Sequence, residues 1–373
     1  MKIIHIAPIK NNVSGISNSV SNLVEAQSSY VSSIGVISSQ SDNLSFSNKV
    51  SVFSIFKHSL LEILFGKSYD KIINKFGKPD IIVFHDIYNL KQSLFLISIL
   101  RKNIRIYMTP RGAFSPLALK RSFFKKKIYY FLLVKPFIKF IDAFIALNKN
   151  ELKHIFYYTS KKTIIMSNGV QDNNKNYVKN IKNYELKEKS IDINIGFLGR
   201  FDIYIKGLDD LLNAYIDFQK LNQKIKINLI FIGSHTNNNE FNSKTYFNKI
   251  KNNLIDPEGF IIKGPFFEEK KWLELSQLDI LIQPSRTEGM PNTVLEAMSM
   301  GIPCCVTKET NMGDIILASK SGWVIGRNRE SILNFFSEII SVNKTNLIKK
   351  GMNGMKYSKE NLSWKEVSKP NYS

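Results

Sequence analysis

One arrangement recurs along the whole chain: a short apolar run followed by a segment long enough for a helix. A strand that pairs in parallel with its neighbour needs a crossover connection, and that connection is usually a helix. The arrangement therefore predicts an α/β protein built on doubly wound parallel sheets. The apolar runs lie at residues 3–9, 31–37, 81–84, 104–108, 141–147 and 163–166 in the first half, and at 193–199, 227–233, 260–263, 278–283, 302–307 and 322–325 in the second.

The length and the polar middle of the chain predict two domains. At 373 residues the chain is longer than one hydrophobic core usually grows, and its 43% of hydrophobic residues can fill two cores. Residues 171–190 consist largely of Asn, Lys, Asp and Glu, a composition typical of an exposed connection. We expect a Rossmann-like first domain over residues 1–170, a linker over 171–190 and a second Rossmann-like domain over 191–351.

The charge of the chain indicates an acidic partner. With 52 basic and 31 acidic residues the formal net charge is +21, which suits nucleic acid, anionic lipid or a phosphorylated substrate. Residues 120–139 mix lysines with large aromatic and aliphatic side chains, as in segments that lie on an anionic membrane surface. The alternative is an ordinary helix with a buried apolar face and solvated lysines. No zinc-finger spacing or RNA-binding motif is present, so we expect no nucleic acid.

Three further features favour the cytoplasm. No apolar stretch reaches the ~18 residues of a membrane span. The apolar start of the chain, residues 1–8, is too short for a signal peptide and is better read as a first strand. Cys304 and Cys305 are neighbours in an apolar run, where their side chains would point to opposite faces of a sheet, so neither a disulfide nor a metal site is expected. We expect a soluble protein, or a peripheral one at the inner face of the cell membrane.

Two glutamates in the segment 283–303 are the first candidate site residues. Glu288 follows an apolar run on a short loop, and Glu296 falls in the first turns of a helix predicted over residues 292–300. Open parallel sheets bind ligands at their strand ends, and the free amides of a helix N-terminus attract phosphate. This combination suits a nucleotide sugar. The alternative is structural, because Thr293 and Glu296 also have the spacing of a capping box.

Two cations form a second candidate group about ninety residues upstream. Arg200 and Lys206 follow the apolar run 193–199 and precede Gly207 and a helix. An arginine can bond two phosphate oxygens at once and a lysine supplies a compact charge, so the pair suits a diphosphate leaving group that gains negative charge. In a chain this basic, two solvated surface charges are the alternative.

Together the two segments resemble the donor site of retaining glycosyltransferases of the GT-B fold, glycosyltransferase family four. The matching elements are Gly199, Arg200, Lys206 and Gly207 upstream, and Glu288, Gly289, Pro291, Glu296, Ala297, Met298, Gly301 and Pro303 downstream. The resemblance implies two Rossmann-like domains that face a central cleft, with a C-terminal helix over residues 352–373 returning to the first domain. It also implies transfer with retention of configuration.

The resemblance also implies a role for each site residue. Arg200 and Lys206 would bind the diphosphate, Glu288 the sugar hydroxyls and Glu296 the ribose. Backbone amides would extend the phosphate site, except at Pro291, which has no N–H. The residues that contribute this part of the site are Gly289, Met290, Asn292, Thr293 and Val294. We expect a UDP-sugar as donor substrate, no cofactor and no metal, because the two cations supply the positive charge.

Three residues of the first half are further candidates. Gly15 follows the first apolar run as a single-glycine version of the family's glycine-rich loop, or as a simple turn glycine. Arg111 stands where many relatives carry a histidine. An arginine cannot act as a general base, so we expect it to orient the acceptor or a donor phosphate, or else to be a surface residue. His85 ends an apolar run, where it would bond the acceptor or serve a structural purpose.

The predicted function is a glycosyltransferase that moves a sugar from a nucleotide sugar to a growing surface polysaccharide, such as lipopolysaccharide or capsule, or to a lipid-linked oligosaccharide. One alternative is a nucleotide-sugar epimerase or a sugar phosphorylase on the same fold; their products differ from those of transfer. Another is a non-catalytic basic protein that binds nucleic acid or membrane surfaces, which predicts salt-sensitive binding to polyanions and no turnover.

Overall fold

The computed structural model describes residues 1–9, 14–42, 44–120, 123–171, 192–222, 226–237 and 242–369. The chain divides into two compact units. The first unit holds Met1–Gly169 and Trp364–Ser373, and the second unit holds Val170–Ser363. The predicted linker, residues 171–190, lies outside the described residues except for Gln171. None of the described helices is both long enough and apolar enough to cross a bilayer.

The first unit is built on a parallel sheet whose described strands have the order β3-β2-β1-β4-β5-β6-β7. These strands are β1 (Lys2–Ala7), β2 (Ser33–Ser38), β3 (Val50–Ser54), β4 (Ile81–His85), β5 (Arg105–Thr109), β6 (Ala143–Ala146) and β7 (Thr163–Ile165). The helices are α1 (Gly15–Gln27), α2 (Leu60–Leu64), α3 (Lys67–Phe76), α4 (Leu90–Ile99), α5 (Pro116–Lys120), α6 (Phe123–Tyr129) and α7 (Lys149–Phe156). A π-helical turn (Tyr130–Val134) and a 3₁₀ segment (Lys135–Phe140) continue α6.

The second unit repeats this design with the strand order β10-β9-β8-β11-β12-β13. Its described strands, again paired in parallel, are β8 (Ile193–Leu198), β9 (Ile227–Ile232), β10 (Phe260–Lys263), β11 (Ile280–Gln283), β12 (Cys304–Thr307) and β13 (Gly322–Ile325). Its helices are α8 (Leu208–Leu221), α9 (Ser243–Lys251), α10 (Glu268–Ser276), α11 (Asn292–Ser299), α12 (Gly313–Ser319), α13 (Arg329–Ile339) and α14 (Lys344–Asn361). The predicted pair of parallel-sheet α/β domains is therefore confirmed.

Burial explains why the strands read as continuous apolar runs. In β1 the consecutive residues Ile3 and Ile4 are both buried, which requires cover on both faces of the sheet, as helices provide in doubly wound folds. The sequence missed β3, an edge strand of the first sheet in which Ser51 and Val52 are exposed. An edge strand that is open to solvent needs no unbroken apolar run, so it leaves no strong pattern.

In each sheet the strand order reverses once. Open parallel sheets bind ligands at the carboxyl ends of the two strands between which the order reverses. The reversal lies between β1 and β4 in the first unit, and between β8 and β11 in the second. His85 ends β4, whereas Arg200 and Glu288 follow β8 and β11. These three predicted site residues thus lie at the reversal points of their sheets.

The end of the chain belongs to both units. α14 is one continuous helix that packs against α11 and α12 of the second unit, and its Gly351 lies so close to Gly301 that an added Cβ would come within 2.0 Å of the Gly301 carbonyl oxygen. Trp364 begins a last short helix, α15 (Trp364–Val367), in the first unit. The return to the first unit therefore starts at Trp364 and not at residue 352, because α14 is held by the second unit as far as Asn361.

Candidate active site

Glu288, a predicted site residue of the second unit, lies in a network of polar contacts. Its Oε1 accepts hydrogen bonds from Ser285 Oγ at 2.9 Å and from Gln283 Nε2 at 3.3 Å, and it forms an ion pair with the Lys206 ammonium. The side chains of Lys206 and Glu288 are 18% and 17% exposed. The structure therefore brings together a cation and a carboxylate that lie 82 positions apart in the chain.

The loop that carries Glu288 is held by its backbone. The Glu288 N–H donates to the Glu309 carbonyl at 3.0 Å, and Asn311 Nδ2 donates to the carbonyls of Glu288 and Gly289 at 2.7 and 3.0 Å. The Thr307 hydroxyl donates to the Ser285 carbonyl at 2.6 Å. These bonds join the loop to the end of β12, so the carboxylate occupies a defined position at the strand ends.

Gly207 explains how Lys206 reaches this carboxylate. Gly207 has a φ of +64°, and an added Cβ would lie 2.2 Å from the Pro284 carbonyl oxygen. Only glycine fits at this close approach, which lets the start of α8 lie directly against the loop after β11. The turn before it is closed by hydrogen bonds from the N–H groups of Ile205 and Lys206 to Asp202.

Arg286 joins the same two segments, and the sequence analysis assigned it no role. Its guanidinium donates to both carboxylate oxygens of Asp209 at 2.6 and 2.9 Å, pairs with Asp210, donates to the Tyr204 carbonyl at 2.7 Å and stacks over the Tyr204 ring. Burial raises the pKa of Asp210, and the Arg286 charge opposes that shift. Arg286 is a structural crosslink: it fastens the Glu288 loop to the start of α8 and keeps Lys206 beside it.

Glu296 has a different partner from the one that a capping box requires. The N-cap of α11 is Pro291, which offers no side-chain hydrogen bond, and Glu296 is 7% exposed in the second turn. Its Oε1 accepts from Lys271 Nζ at 2.8 Å. Burial raises the pKa of Glu296, while the Lys271 charge and hydrogen bond lower it. The capping-box alternative is wrong, because Pro291 occupies the N-cap position. Lys271 is the partner of Glu296, and no sequence motif indicated it.

The remaining predicted residues of the second unit lie after β8 and around the start of α11. Arg200 is exposed, and its guanidinium makes no hydrogen bond or ion pair with the described residues. Asn292 and Thr293 begin α11, and Gly289 and Met290 precede its N-cap, Pro291. The neighbouring Val294 amide donates to the Pro291 carbonyl at 3.2 Å, so that amide is already used within the helix turn.

In the first unit, His85 and Arg111 belong to one buried chain of hydrogen bonds. Arg111 Nε donates to His85 Nδ1 at 3.2 Å, and Arg111 Nη1 donates to Asn168 Oδ1 at 3.2 Å. His85 Nε2 contacts His5 Nδ1 at 2.9 Å, and His5 Nε2 contacts Gln27 Oε1 at 2.9 Å. His5 and Gln27 were not predicted as site residues. Their only sequence signal is a histidine inside a strand of otherwise apolar residues.

The chemistry of arginine gives this chain of bonds a single direction. Because an arginine nitrogen can only donate, His85 Nδ1 must accept, so the proton of the neutral ring lies on Nε2 and is donated to His5 Nδ1. His5 then carries its own proton on Nε2 and donates it to Gln27. Burial lowers the pKa of His5 to about 4 and the pKa of His85 well below its ordinary value, and the nearby Arg111 charge adds to both shifts. Both rings are therefore neutral at pH 7.

A cavity of ≈ 10 Å³, the room of about one water, lies beside Arg111. The Thr109 hydroxyl and the Trp364 indole N–H both belong to residues that line it, and both are buried without a hydrogen-bond partner among the described residues. Burial lowers the pKa of Arg111 to about 10, opposed by the charges of Glu151 and Asp86. Arg111 is still protonated at pH 7, so this small space is bordered by a cation and two further donors.

Gly15 begins α1 and is exposed, and an added Cβ would meet nothing within 4 Å. The helix is capped by Ser14, whose side chain accepts from the Ser17 N–H at 3.0 Å. Residues 10–13 of the predicted loop lie outside the described residues. Within the described part of the chain, nothing in the protein itself requires glycine at this position.

Residues 192–341 match the family model of the glycosyl transferases group 1. The matched stretch contains Arg200, Lys206, Glu288 and Glu296, so the donor-site pattern and the family match fall on the same unit. The match lies entirely within the second unit.

The chain is similar to individual glycosyltransferases as well. It is 30% identical over 167 residues to WclY of Escherichia coli, described as an O-antigen biosynthesis glycosyltransferase; the match covers 44% of this chain and 42% of WclY. Across the first relatives found, the matches span about half of the relative's length.

Solved structures show the same fold over the whole chain. Sucrose-phosphate synthase of Thermosynechococcus elongatus superposes with a TM-score of 0.76 at 15% identity, covering 98% of this chain and 96% of that one. HepE of Anabaena, in complex with UDP, superposes with a TM-score of 0.73 at 13% identity, covering 99% and 97%. The chain therefore has the GT-B fold that the sequence predicts.

Proposed function

We propose that this protein is a retaining glycosyltransferase that transfers a sugar from a nucleoside diphosphate sugar to a growing surface polysaccharide or a lipid-linked oligosaccharide. The observation that carries the proposal is the Lys206–Glu288 pair, held on two crosslinked loops at the reversal point of the second sheet, inside the stretch that matches the glycosyl transferases group 1. The similarity to WclY supports a polysaccharide product, and the UDP complex of HepE supports a UDP-sugar donor.

The geometry suggests how the donor would bind. Lys206 has three N–H donors and uses part of this capacity on Glu288, so the rest can bind a phosphate oxygen without breaking the pair. The exposed guanidinium of Arg200 can bond two further oxygens of the diphosphate. As the bond to the sugar breaks, negative charge grows on the leaving phosphate, and both cations stabilise it. Positive charge from two side chains makes a metal ion unnecessary in this proposal.

The two glutamates serve the neutral parts of the donor. Glu288 would accept hydrogen bonds from sugar hydroxyls and Glu296 from the ribose, and the start of α11 would provide amides for the diphosphate. Neither carboxylate needs to act as a nucleophile if the acceptor attacks from the face that the leaving phosphate departs, a course that retains the configuration. We therefore do not interpret the pair as the catalytic carboxylates of a glycosidase.

In the first unit Arg111 would hold an anionic group of the acceptor or a phosphate of the donor. Its side chain is positioned by His85 and Asn168, both neutral acceptors, and it forms no ion pair with a carboxylate of the described residues. We place the reaction in the cytoplasm, with which the free, buried Cys304 and Cys305 are compatible.

A thermal-shift screen of the full chain against UDP-, GDP- and ADP-sugars tests the donor site, because a ligand that binds only the folded state raises the melting temperature. We expect UDP-sugars to stabilise the protein and Lys206→Met to remove most of that stabilisation. Lys263→Met is the matched control, since Lys263 pairs with Glu274 at 2.8 Å in the same unit, away from the sheet reversal. A chain that no nucleotide sugar stabilises would contradict the proposal.

Product analysis then separates transfer from the alternative reactions. A glycosyltransferase releases the nucleoside diphosphate and lengthens a saccharide acceptor. An epimerase changes the donor without any acceptor, and a phosphorylase requires phosphate or yields a sugar phosphate. Turnover that disappears with a chelator and returns with magnesium or manganese would show that the metal-free part of the proposal is wrong.

A further inference from the structure

One helical surface of the first unit is apolar on the side that faces solvent. α6, the π-helical turn and the 3₁₀ segment run without a break from Phe123 to Phe140. Along this segment Phe124, Ile128 and Leu132 are 79%, 61% and 65% exposed. Residues four apart lie on one face of a helix, so these side chains form one stripe, which we call the outward stripe; Phe131, 49% exposed, lies beside it.

The opposite side of the same segment attaches it to the first unit. Val134 and Ile138 are buried in the core of that unit, and the Tyr129 hydroxyl bonds the Ser93 hydroxyl at 2.7 Å. The Tyr130 ring meets the edge of Phe114. The segment already has a buried apolar face, so its core packing does not account for the outward stripe. A second apolar face needs its own explanation, because exposed apolar patches on soluble proteins mark interaction sites.

The charge around the outward stripe is of one sign. Lys125, Lys127, Lys135 and Lys139 are exposed, and the ammonium groups of the last three lie 5.0–5.4 Å from the ring centroids of neighbouring phenylalanines. No aspartate or glutamate occurs in residues 87–141, an interval of 55 residues that would hold about four or five acidic residues at the average of this chain. The surface thus combines large apolar side chains with cations and has no acidic residue of its own segment nearby.

We propose that this surface binds the anionic face of a lipid bilayer. The apolar side chains of the outward stripe would enter the boundary between headgroups and acyl chains, and the lysines would meet the headgroup phosphates. Nucleic acid would use the lysines and the rings, but the aliphatic Ile128 and Leu132 offer it neither charge nor stacking. The four exposed lysines favour an anionic membrane over an uncharged protein groove as the partner. A bilayer that contains anionic lipid presents many phosphates at once, and each lysine can meet one.

The inference goes beyond glycosyl transfer and does not depend on it, since lipid binding is measured without any substrate. If both are right, the first unit lies at the membrane surface, where a lipid-linked acceptor would be present. If the donor assignment is wrong, the membrane surface can still be tested unchanged.

The test is co-sedimentation of the full chain with vesicles of phosphatidylcholine alone or with phosphatidylglycerol added, at low and at high salt. We expect binding only to the anionic vesicles, with weaker binding at high salt. The apolar variant is Phe124→Ser, Ile128→Ser and Leu132→Ser together. It should reduce partitioning by at least about tenfold, because the inserted side chains supply the apolar part of the binding.

The charge variant replaces the lysines by glutamine and should reduce binding to a similar extent, at least about tenfold. It consists of Lys125→Gln, Lys127→Gln, Lys135→Gln and Lys139→Gln. The matched controls change equally exposed residues of the second unit and should bind as the unchanged protein does. The apolar control is Leu221→Ser, Leu273→Ser and Leu317→Ser, and the charge control is Lys220→Gln, Lys349→Gln, Lys356→Gln and Lys359→Gln.

Circular dichroism and the melting temperature of each variant show that a loss of binding is not a loss of fold. Absence of binding to the anionic vesicles would overturn the proposal, and so would an apolar variant that binds like the unchanged chain. A charge variant that alone loses binding, to vesicles and to heparin alike, would also overturn it and indicate a general polyanion surface. A dimer that the apolar variant abolishes, without vesicle binding, would assign the surface to a second copy of the chain.

Discussion

Each unit holds a cation just beyond the carboxyl end of one of its strands, Lys206 after β8 and Arg111 after β5, but the two units balance these charges differently. In the second unit Lys206 and Lys271 each pair with a carboxylate, Glu288 and Glu296. In the first unit Arg111 is held by His85 and Asn168, both of which are neutral. If both sites bind anions as we propose, one topology supports two kinds of anion site. One would share a cation between an internal carboxylate and a phosphate, and the other would present a fixed cation that contacts no carboxylate among the described residues.

The hydrogen bonds around Arg111 require that the accepting nitrogens of His85 and His5 stay unprotonated. A proton added to His85 Nδ1 would face the Arg111 N–H, and a proton added to His5 Nδ1 would face the His85 N–H. Either event would replace an accepting nitrogen by a second donor. Burial, together with the charge of Arg111, therefore keeps both histidines neutral, and His85 helps to hold the side chain of Arg111 in place.

The largest expected effect concerns the paired cation of the second unit. Glu288→Gln should lower sugar transfer by about 10²–10³, the scale of losing one well-placed polar group at the reacting centre. Binding of UDP alone should not weaken, because Lys206 then no longer shares its charge with a carboxylate. Steady-state transfer and calorimetric titration with UDP measure the two quantities. If UDP binding falls along with transfer, Glu288 acts only by holding Lys206, and the proposal that Lys206 is shared between Glu288 and a phosphate is wrong.

The next effect tests the neutral histidines of the first unit. The pKa of His5 is about 4 in the folded protein and 6.5 in the unfolded chain, so the unfolded state binds more protons between these values and stability falls as the pH drops from 6.5 to 4. From His5 alone the loss is about 3 kcal/mol of unfolding free energy, at 1.36 kcal/mol per unit.

Urea unfolding at several pH values measures this dependence, and the variant His5→Gln should flatten it. His235→Gln is the matched control, since His235 is exposed and lies in the second unit. An equal slope in the protein and in His5→Gln would show that the buried pair does not titrate as described.

Gly15 and Gly207 allow a direct comparison of the two units, because each lies at the start of the helix that follows the first strand of its unit. Gly207→Ala should destabilise the protein by about 2 kcal/mol, because the new Cβ meets the Pro284 carbonyl at 2.2 Å and the backbone has a φ of +64°. Gly15→Ala should change stability by less than about 0.5 kcal/mol, because nothing lies within 4 Å of the added Cβ.

Chemical denaturation compares the two alanine variants directly. If Gly15 lets a ligand approach the backbone, Gly15→Ala will weaken donor binding while the stability stays the same. Comparable losses of stability in both variants would remove this distinction between the units.

The smallest effect concerns Arg111. Arg111→Lys keeps the charge but cannot reach His85 and Asn168 with one rigid planar group, so we expect the KM of the acceptor or donor to rise about tenfold. Arg111→Gln should raise it further, because the charge is lost as well. Turnover and KM that stay unchanged in Arg111→Ala would support the simpler view that Arg111 has no part in binding substrates.

The sequence by itself determined the architecture and half of each site. Buried parallel strands must be apolar on both faces, so the runs around Ile3, Ile81 and Ile280 were visible without any coordinates. Strand ends and helix starts are local features as well. That is why Lys206 and Glu288 could be expected at the carboxyl edge of the second sheet.

Only the tertiary structure decided which groups meet. Glu296 pairs with Lys271, 25 positions away, and His85 bonds His5, 80 positions away. Neither Lys271 nor His5 lies in a recognisable motif. The sequence indicated a membrane-binding segment or an ordinary helix over residues 120–139, and only the structure showed which of its apolar side chains are exposed. A hydrogen bond or an ion pair depends on a separation of about 3 Å in space, and spacing along the chain does not encode that separation between distant segments.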